Sequence, residues 1–302
     1  MSFAAQVKSE LCRAALSRKC CAQAEAYGVL LFCNLFSADE IRIISECDPF
    51  LNRLPALFKK AFRVEFDRIP APEDKGKRVL SITDPEKLAA IHEAYGVERA
   101  GAVANHINFA VLEEPCCRHA FLRGAFLAGG SVSDPEKSYH LELVTSHFNV
   151  SREVFALMHE CGFDPKQATR KANYITYFKR SEAIEDVLTG IGAPLSAMDI
   201  MNAKLEKTIR GSVNRQVNCD AANMGKVVDA AQSQIEAIQR LQSSGQWDTL
   251  PDKLKEAARL RMEFPEEPLA ALAGRCQPQV TKSAFNHRLR KLVELAGQEK
   301  KG

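Results

Sequence analysis

The stretch FLRGAFLAGGSV, residues 121–132, places Gly124 and Ala128 four positions apart, on one face of a helix, and ends on the pair Gly129-Gly130. Small residues at that spacing let a second helix approach closely. The segment that contains it, PCCRHAFLRG at 115–124, has a counterpart in KCCAQAEAYG at 19–28. An offset of 96 residues takes Cys21 to Cys117, Gly28 to Gly124 and Ser37 to Ser133. Three matches at one offset indicate an internal duplication.

The likeness continues beyond each glycine. Residues 40–45 (EIRIIS) and 139–145 (YHLELVT) alternate polar and apolar, the mark of a half-buried strand. Helical stretches come next at 51–62 and 151–161, the second stopped by Gly162. Further strands are expected at 64–68 and 79–82 in the first copy, and at 167–171 and 174–179 in the second. Helices at 85–95 and 181–191 close the copies. This order predicts an α+β unit with a mostly antiparallel sheet.

The rest of the chain reads as helical. One helix is expected over 196–210, with Lys204, Lys207 and Arg210 sharing a face; Gly211 and Asn214 then break it. A longer helix over about 220–244 carries Val228, Ala231, Ile235, Ile238 and Leu241 as an apolar stripe, with Gly245 as its stop. Scattered lysines ordinarily mark a solvated face, so Lys204, Lys207, Arg210 and Arg215 are only candidate phosphate contacts.

From Trp247 onward three helices are expected. Pro251 opens the first and Pro265 stops it; the second is short, over 269–274; Thr281 caps a third that runs to about Ala296. That is a helix-turn-helix arrangement with a lengthened turn. In the third helix Phe285, Leu289, Leu292 and Ala296 form the core face, and Arg288 flanks it. Ser283, Asn286, His287, Arg290 and Lys291 point the other way, and Lys282 stands at the N-terminal end. A recognition helix needs this distribution, and Lys282, Ser283, Asn286, His287, Arg288, Arg290 and Lys291 are the candidate DNA contacts. Arg and Lys pair with guanine edges, Asn pairs with adenine, and other cations hold phosphates.

Composition sets the outer bounds. The 302 residues allow two or three domains, and a net charge of +3 leaves any nucleic-acid surface to local clustering. The ten cysteines are read as reduced thiols of a cytoplasmic protein, with no secretory leader and no apolar run long enough for a membrane span. No CxxC occurs. Cys116, Cys117 and His119, with His140 and His147 nearby, fit no standard zinc-finger spacing and read as buried thiols and surface histidines. Gly129-Gly130-Ser131 lacks the lysine of a phosphate-binding loop. No metal and no cofactor is expected.

The stretch 121–132 resembles the LAGLIDADG motif of homing endonucleases, in which two such helices, one per repeat, pack side by side. Each ends in an acid that holds a catalytic divalent cation. By that resemblance Gly124 and Gly28 match the first motif glycine, Gly130 and Asn34 the last, and the acid positions are Gly129 and Cys33. Magnesium needs hard oxygen ligands, which neither supplies. Asp39 and Asp134, a few residues on, are the candidate replacements; they support the alternative reading, a divergent metal-dependent homing endonuclease with relocated ligands. A third reading makes the chain a scaffold whose basic helix merely solubilises the tail.

The combination of KCC at 19–21, NRQVNCDAAN at 214–223, LKEAARL at 254–260, FPEEPLAALA at 264–273 and TKSAFNHRLRKL at 281–292 resembles the WhiA family. That resemblance implies a duplicated αββαββα domain with pseudo-two-fold symmetry over 1–195, in repeats of about 20–112 and 115–195. A helical linker over 196–245 and an all-α helix-turn-helix domain over 246–302 would come after it. It implies a non-enzymatic, sequence-specific transcriptional regulator linked to sporulation, cell division and chromosome segregation. Such a protein would sit on the nucleoid, bind double-stranded DNA at promoters with or without a protein co-regulator, and have no membrane partner. The internal two-fold is compatible with a monomer.

Overall fold

A computed structural model describes residues 2–71, 73–74, 76–96 and 106–298; part of the expected first repeat, 97–105, lies outside the described residues. The chain forms two compact units, Met1–Lys207 and Thr208–Gly302.

The first unit is α+β. After α1 (Phe3–Leu11) the first repeat runs α2 (Lys19–Phe32), β1 (Leu35–Phe36), β2 (Ile41–Ser45), α3 (Asp48–Phe62), β3 (Arg78–Ile82) and α4 (Pro85–Ala94). The second runs α5 (Pro115–Gly129), β4 (Gly130–Val132), β5 (Leu141–Thr145), α6 (Phe148–Glu160), β6 (Lys166–Arg170), β7 (Asn173–Phe178) and α7 (Ser181–Ile191). The sheets are antiparallel, ordered β1-β2-β3 and β4-β5-β7-β6. The copies share even their hairpin chemistry. The Ser37 hydroxyl donates to the Glu40 carbonyl and accepts from its amide, while Ser133 donates to the Ser138 carbonyl and accepts from the His140 amide.

One expected strand is missing. Residues 64–68 form no ladder; only Arg68 bridges to Ser81, with amide–carbonyl bonds of 3.2 Å in both directions. Val64 and Phe66 are instead buried as core anchors, so their alternation reports burial without sheet pairing.

A second correction concerns α8, Pro194–Ser243, a single helix of 50 residues. The expected break at 211–218 does not occur. Glycine and asparagine lower helix propensity by about 1 kcal/mol or less each, but neither removes the backbone donor that proline lacks. Val228 is 59% exposed, so the apolar stripe is buried only from Ala231 onward.

In the second unit the later part of α8 packs with α9 (Asp252–Glu263), α10 (Leu269–Arg275) and α11 (Lys282–Gln298). The core joins Ile238 and Leu241 to Ala257, Ala258, Leu272, Phe285, Leu289 and Leu292. Ala296 is buried with them, so the core face expected for the third helix is the one observed.

Candidate nucleic-acid interface

In the first unit α2 and α5 lie against each other at the centre of the core. A Cβ on Gly28 would stand 2.1 Å from the Phe121 carbonyl oxygen, and one on Gly124 would stand 1.9 Å from that of Glu25. The offset of 96 relates Glu25 to Phe121, so the two contacts are the same contact seen from either repeat. Ala128, four residues on, is half-buried.

The C-terminal ends of these helices carry the positions where a cleavage centre would need acids. The Cys33 thiol hydrogen-bonds to the carbonyls of Leu30 and Leu35, at 3.1 and 3.2 Å, and burial pushes it up to about 12. It is a neutral donor turned to its own backbone. At Gly129 a Cβ would lie 2.7 Å from the Phe32 ring and 2.8 Å from the Val144 carbonyl oxygen. A carboxylate has no room there. Asn34 gives its side-chain oxygen to the Ile44 amide at 2.8 Å. Asp39 and Asp134 sit in the hairpin turns beyond β1 and β4, and the Asp134 carboxylate caps the Glu136 amide at 2.9 Å. These residues make two paired helix ends without a set of hard ligands.

The second unit presents the cations. Thr281 caps α11, its hydroxyl accepting from the Ala284 amide at 3.2 Å. Val280 N–H donates to the Ala273 carbonyl at 3.2 Å and closes the turn between α10 and α11. Arg261, fully buried, donates to the carbonyls of Pro265 and Glu267 at 3.2 and 3.0 Å and fixes the turn before α10. On this frame Lys282, Ser283, His287, Arg290 and Lys291 are exposed and Asn286 is half-buried. Lys291 shares its charge with Glu294 at 3.2 Å, three residues on along the same helix.

Arg288 differs from the rest of the set. It is half-buried, with its guanidinium 3.0 Å from Glu256 of α9 and 3.8 Å from the Cys276 sulfur. Its charge is spent holding α11 against α9. The sequence offered a signal for this in the position of Arg288 beside the core face, but not the identity of its partner.

The linker cations divide similarly. Lys204 is paired with Glu182. Lys207 donates to the Pro135 carbonyl at 2.5 Å and sits over the Tyr139 ring. Arg210 and Arg215 are exposed.

The buried charge cluster of the first unit was not legible in the sequence. Glu25 receives a bidentate pair from Arg53, at 2.6 and 3.0 Å, and a third bond from Arg123 at 2.9 Å. A lone acid among Ala22, Ala24 and Ala26 was the available clue.

Comparison with known proteins places these features together. The family model described as the WhiA LAGLIDADG-like domain matches residues 118–210, and the WhiA C-terminal HTH domain matches 213–296. The chain is 37% identical over 310 residues to the "Probable cell division protein WhiA" of Ruminiclostridium cellulolyticum, covering 100% of this chain and 99% of that protein. It is 34% identical over 313 residues to the protein of the same description in Alkaliphilus metalliredigens, covering 99% of both. The crystal structure of full-length WhiA from Thermatoga maritima superposes with a TM-score of 0.62 at 20% identity, over 99% of each chain. The N-terminal LAGLIDADG domain of WhiA gives 0.51 at 19% identity, over 63% of this chain and 90% of that one. At those identities the structures establish the fold: a LAGLIDADG-like α+β unit with an all-α helix-turn-helix unit.

Proposed function

This chain belongs to the WhiA family, and we propose that it is a transcriptional regulator, linked to cell division, that reads specific double-stranded DNA at promoters with α11. The observation that carries this reading is the capped, rigidly held helix whose outer face offers Lys282, Ser283, His287 and Arg290 to solvent. Asn286, His287 and Arg290 are assigned to base edges, Lys282, Ser283 and Lys291 to phosphates, and Arg288 to positioning the helix. Arg210 and Arg215 are further phosphate contacts; Lys204 and Lys207 are held by their own unit. No helix among the described residues is long and apolar enough to cross a membrane. The place assigned to the chain is the nucleoid, with its DNA. The internal two-fold of the α+β unit lets a monomer act, with a protein co-regulator as an additional partner.

The test is a genomic binding map of the full chain and then titrations on a mapped site. Arg290→Ala and Asn286→Ala should each weaken specific binding by about 1–3 kcal/mol and leave binding to random DNA nearly unchanged. Equal loss on specific and random DNA would leave α11 as a phosphate clamp and refute base reading. Arg288→Ala should instead lower the stability of the helical unit.

The alternative of a divergent endonuclease finds no support in the residues. Neither helix end supplies a carboxylate, and Asp134 is engaged in its own turn.

A further inference from the structure

Each repeat opens its central helix with adjacent cysteines, Cys20-Cys21 in α2 and Cys116-Cys117 in α5. The close pairing of the two helices brings these pairs together. The sulfurs of Cys20, Cys21 and Cys117 all lie within 4.8 Å of one another. Cys116 neighbours Cys21 but falls outside that mutually close set. The offset of 96 maps Cys20-Cys21 onto Cys116-Cys117, so the cluster straddles the same two-fold as the glycine crossing. His119, a sequence neighbour of Cys116 and Cys117, is not part of it; the partners come from the other repeat.

We propose that Cys20, Cys21 and Cys117 form a binding site for a soft d10 cation, with Zn2+ as the reference ion and the neighbouring Cys116 thiol as the fourth ligand. Four-coordinate zinc holds sulfur at about 2.3 Å, which sets sulfurs about 3.8 Å apart. Cys20, Cys21 and Cys117 therefore need to close by at most about 1 Å, and Cys116 has to swing in to complete the set. A disulfide would use two sulfurs and leave the others; a tetrahedral cation uses all four. Hard cations are excluded by the donor set. Four thiolates around a divalent cation leave a net negative charge, and its surroundings suit it. Both helices direct their N-terminal ends, which have no side-chain cap, toward the cluster. The Arg18 guanidinium stands 3.8 Å from the Cys116 sulfur.

The site is distinct from the degenerate cleavage centre. It lies at the N-terminal ends of α2 and α5, whereas Cys33 and Gly129 lie at the C-terminal ends, about 18 Å along the helix axis at 1.5 Å per residue. A cation here would staple the two repeats across their shared axis. Its binding does not depend on DNA.

The test uses the full chain, stripped of metal and kept reduced, titrated with Co2+ and then Zn2+. One equivalent of Co2+ should give the near-ultraviolet thiolate-to-cobalt charge-transfer band and the visible bands of a tetrahedral site, and Zn2+ should displace it. Zn2+ should also raise the unfolding temperature of the α+β unit. Cys20→Ser, at an exposed position, and Cys117→Ser should weaken binding by more than the roughly 10–100-fold that outer-shell changes cost. Cys219→Ser, on exposed α8, should leave it unchanged. No charge-transfer band from the fully reduced chain would overturn the proposal. So would a band that survives in Cys20→Ser, or a Cys20–Cys117 disulfide recovered from chain prepared under reductant. Because Cys20 is exposed, Cys20→Ser decides the matter even if Cys117→Ser does not fold.

Discussion

Gly28 and Gly124 are the two halves of one contact: each lets its helix rest on a backbone carbonyl of the other, with no space for a methyl group on either side. The paired helices carry the burial of the α+β unit, so this contact sets how the repeats meet. Gly28→Ala should lower the stability of that unit by about 1–3 kcal/mol or more, because the obstacle is backbone and cannot rotate away. Gly225→Ala in α8, where a Cβ meets nothing within 4 Å, should stabilise its helix by about 0.5–1 kcal/mol. Urea titrations monitored by circular dichroism compare the two; similar midpoints would contradict the crossing geometry.

Restoring an acid at the old cleavage position should not restore chemistry. Gly129→Asp forces a Cβ to within 2.7 Å of Phe32 and 2.8 Å of the Val144 carbonyl oxygen, and the facing Cys33 thiol remains protonated. The expected outcome is a less stable protein, by about 1–3 kcal/mol, that gives no magnesium-dependent nicking of supercoiled DNA. EDTA-sensitive nicking by this variant would mean the helix ends still form a metal site.

Glu25 has no measurable exposure and balances two arginines, Arg53 from α3 and Arg123 from α5. Arg53 also donates to the carbonyls of Cys12 and Ala14, so the cluster ties the N-terminal segment to both repeats. Glu25→Ala strands the buried Arg53 and the half-buried Arg123 and should cost about 3–5 kcal/mol. Chemical denaturation measures it. A loss below about 1 kcal/mol would show that water reaches the arginines freely.

Asp67 predicts a pH dependence. Burial pushes its carboxyl up, but the Lys87 ammonium and the amides of Thr83 and Asp84, which donate at 2.7 and 2.8 Å, outweigh it and hold it at about 2, against 3.8 for a free side chain. The folded state thus binds its proton later than the unfolded chain. The stabilisation is complete above about pH 4 and is lost as the pH falls through about 2. Stability measured between pH 2 and pH 5 should fall less steeply in Asp67→Asn than in the parent chain. Parallel curves would exclude Asp67 as a source of acid sensitivity.

Local pattern was enough to determine most of this protein: a glycine recurring at one offset, strands that alternate, and a third helix whose Phe285 and Leu289 face inward while Arg290 faces out. Those features repeat with the period of the element that carries them, and the period survives in one dimension. Tertiary structure decided what depends on a partner distant in the chain. Residues 64–68 looked like a strand because alternation reports burial, yet only Arg68 found a ladder partner. Gly211 looked like a break, yet the helix lost no donor there and continued. Arg288, beside the core face, found its partner in Glu256, 32 residues away in sequence, and Cys20 and Cys21 met Cys117 only because two glycines let the repeats touch.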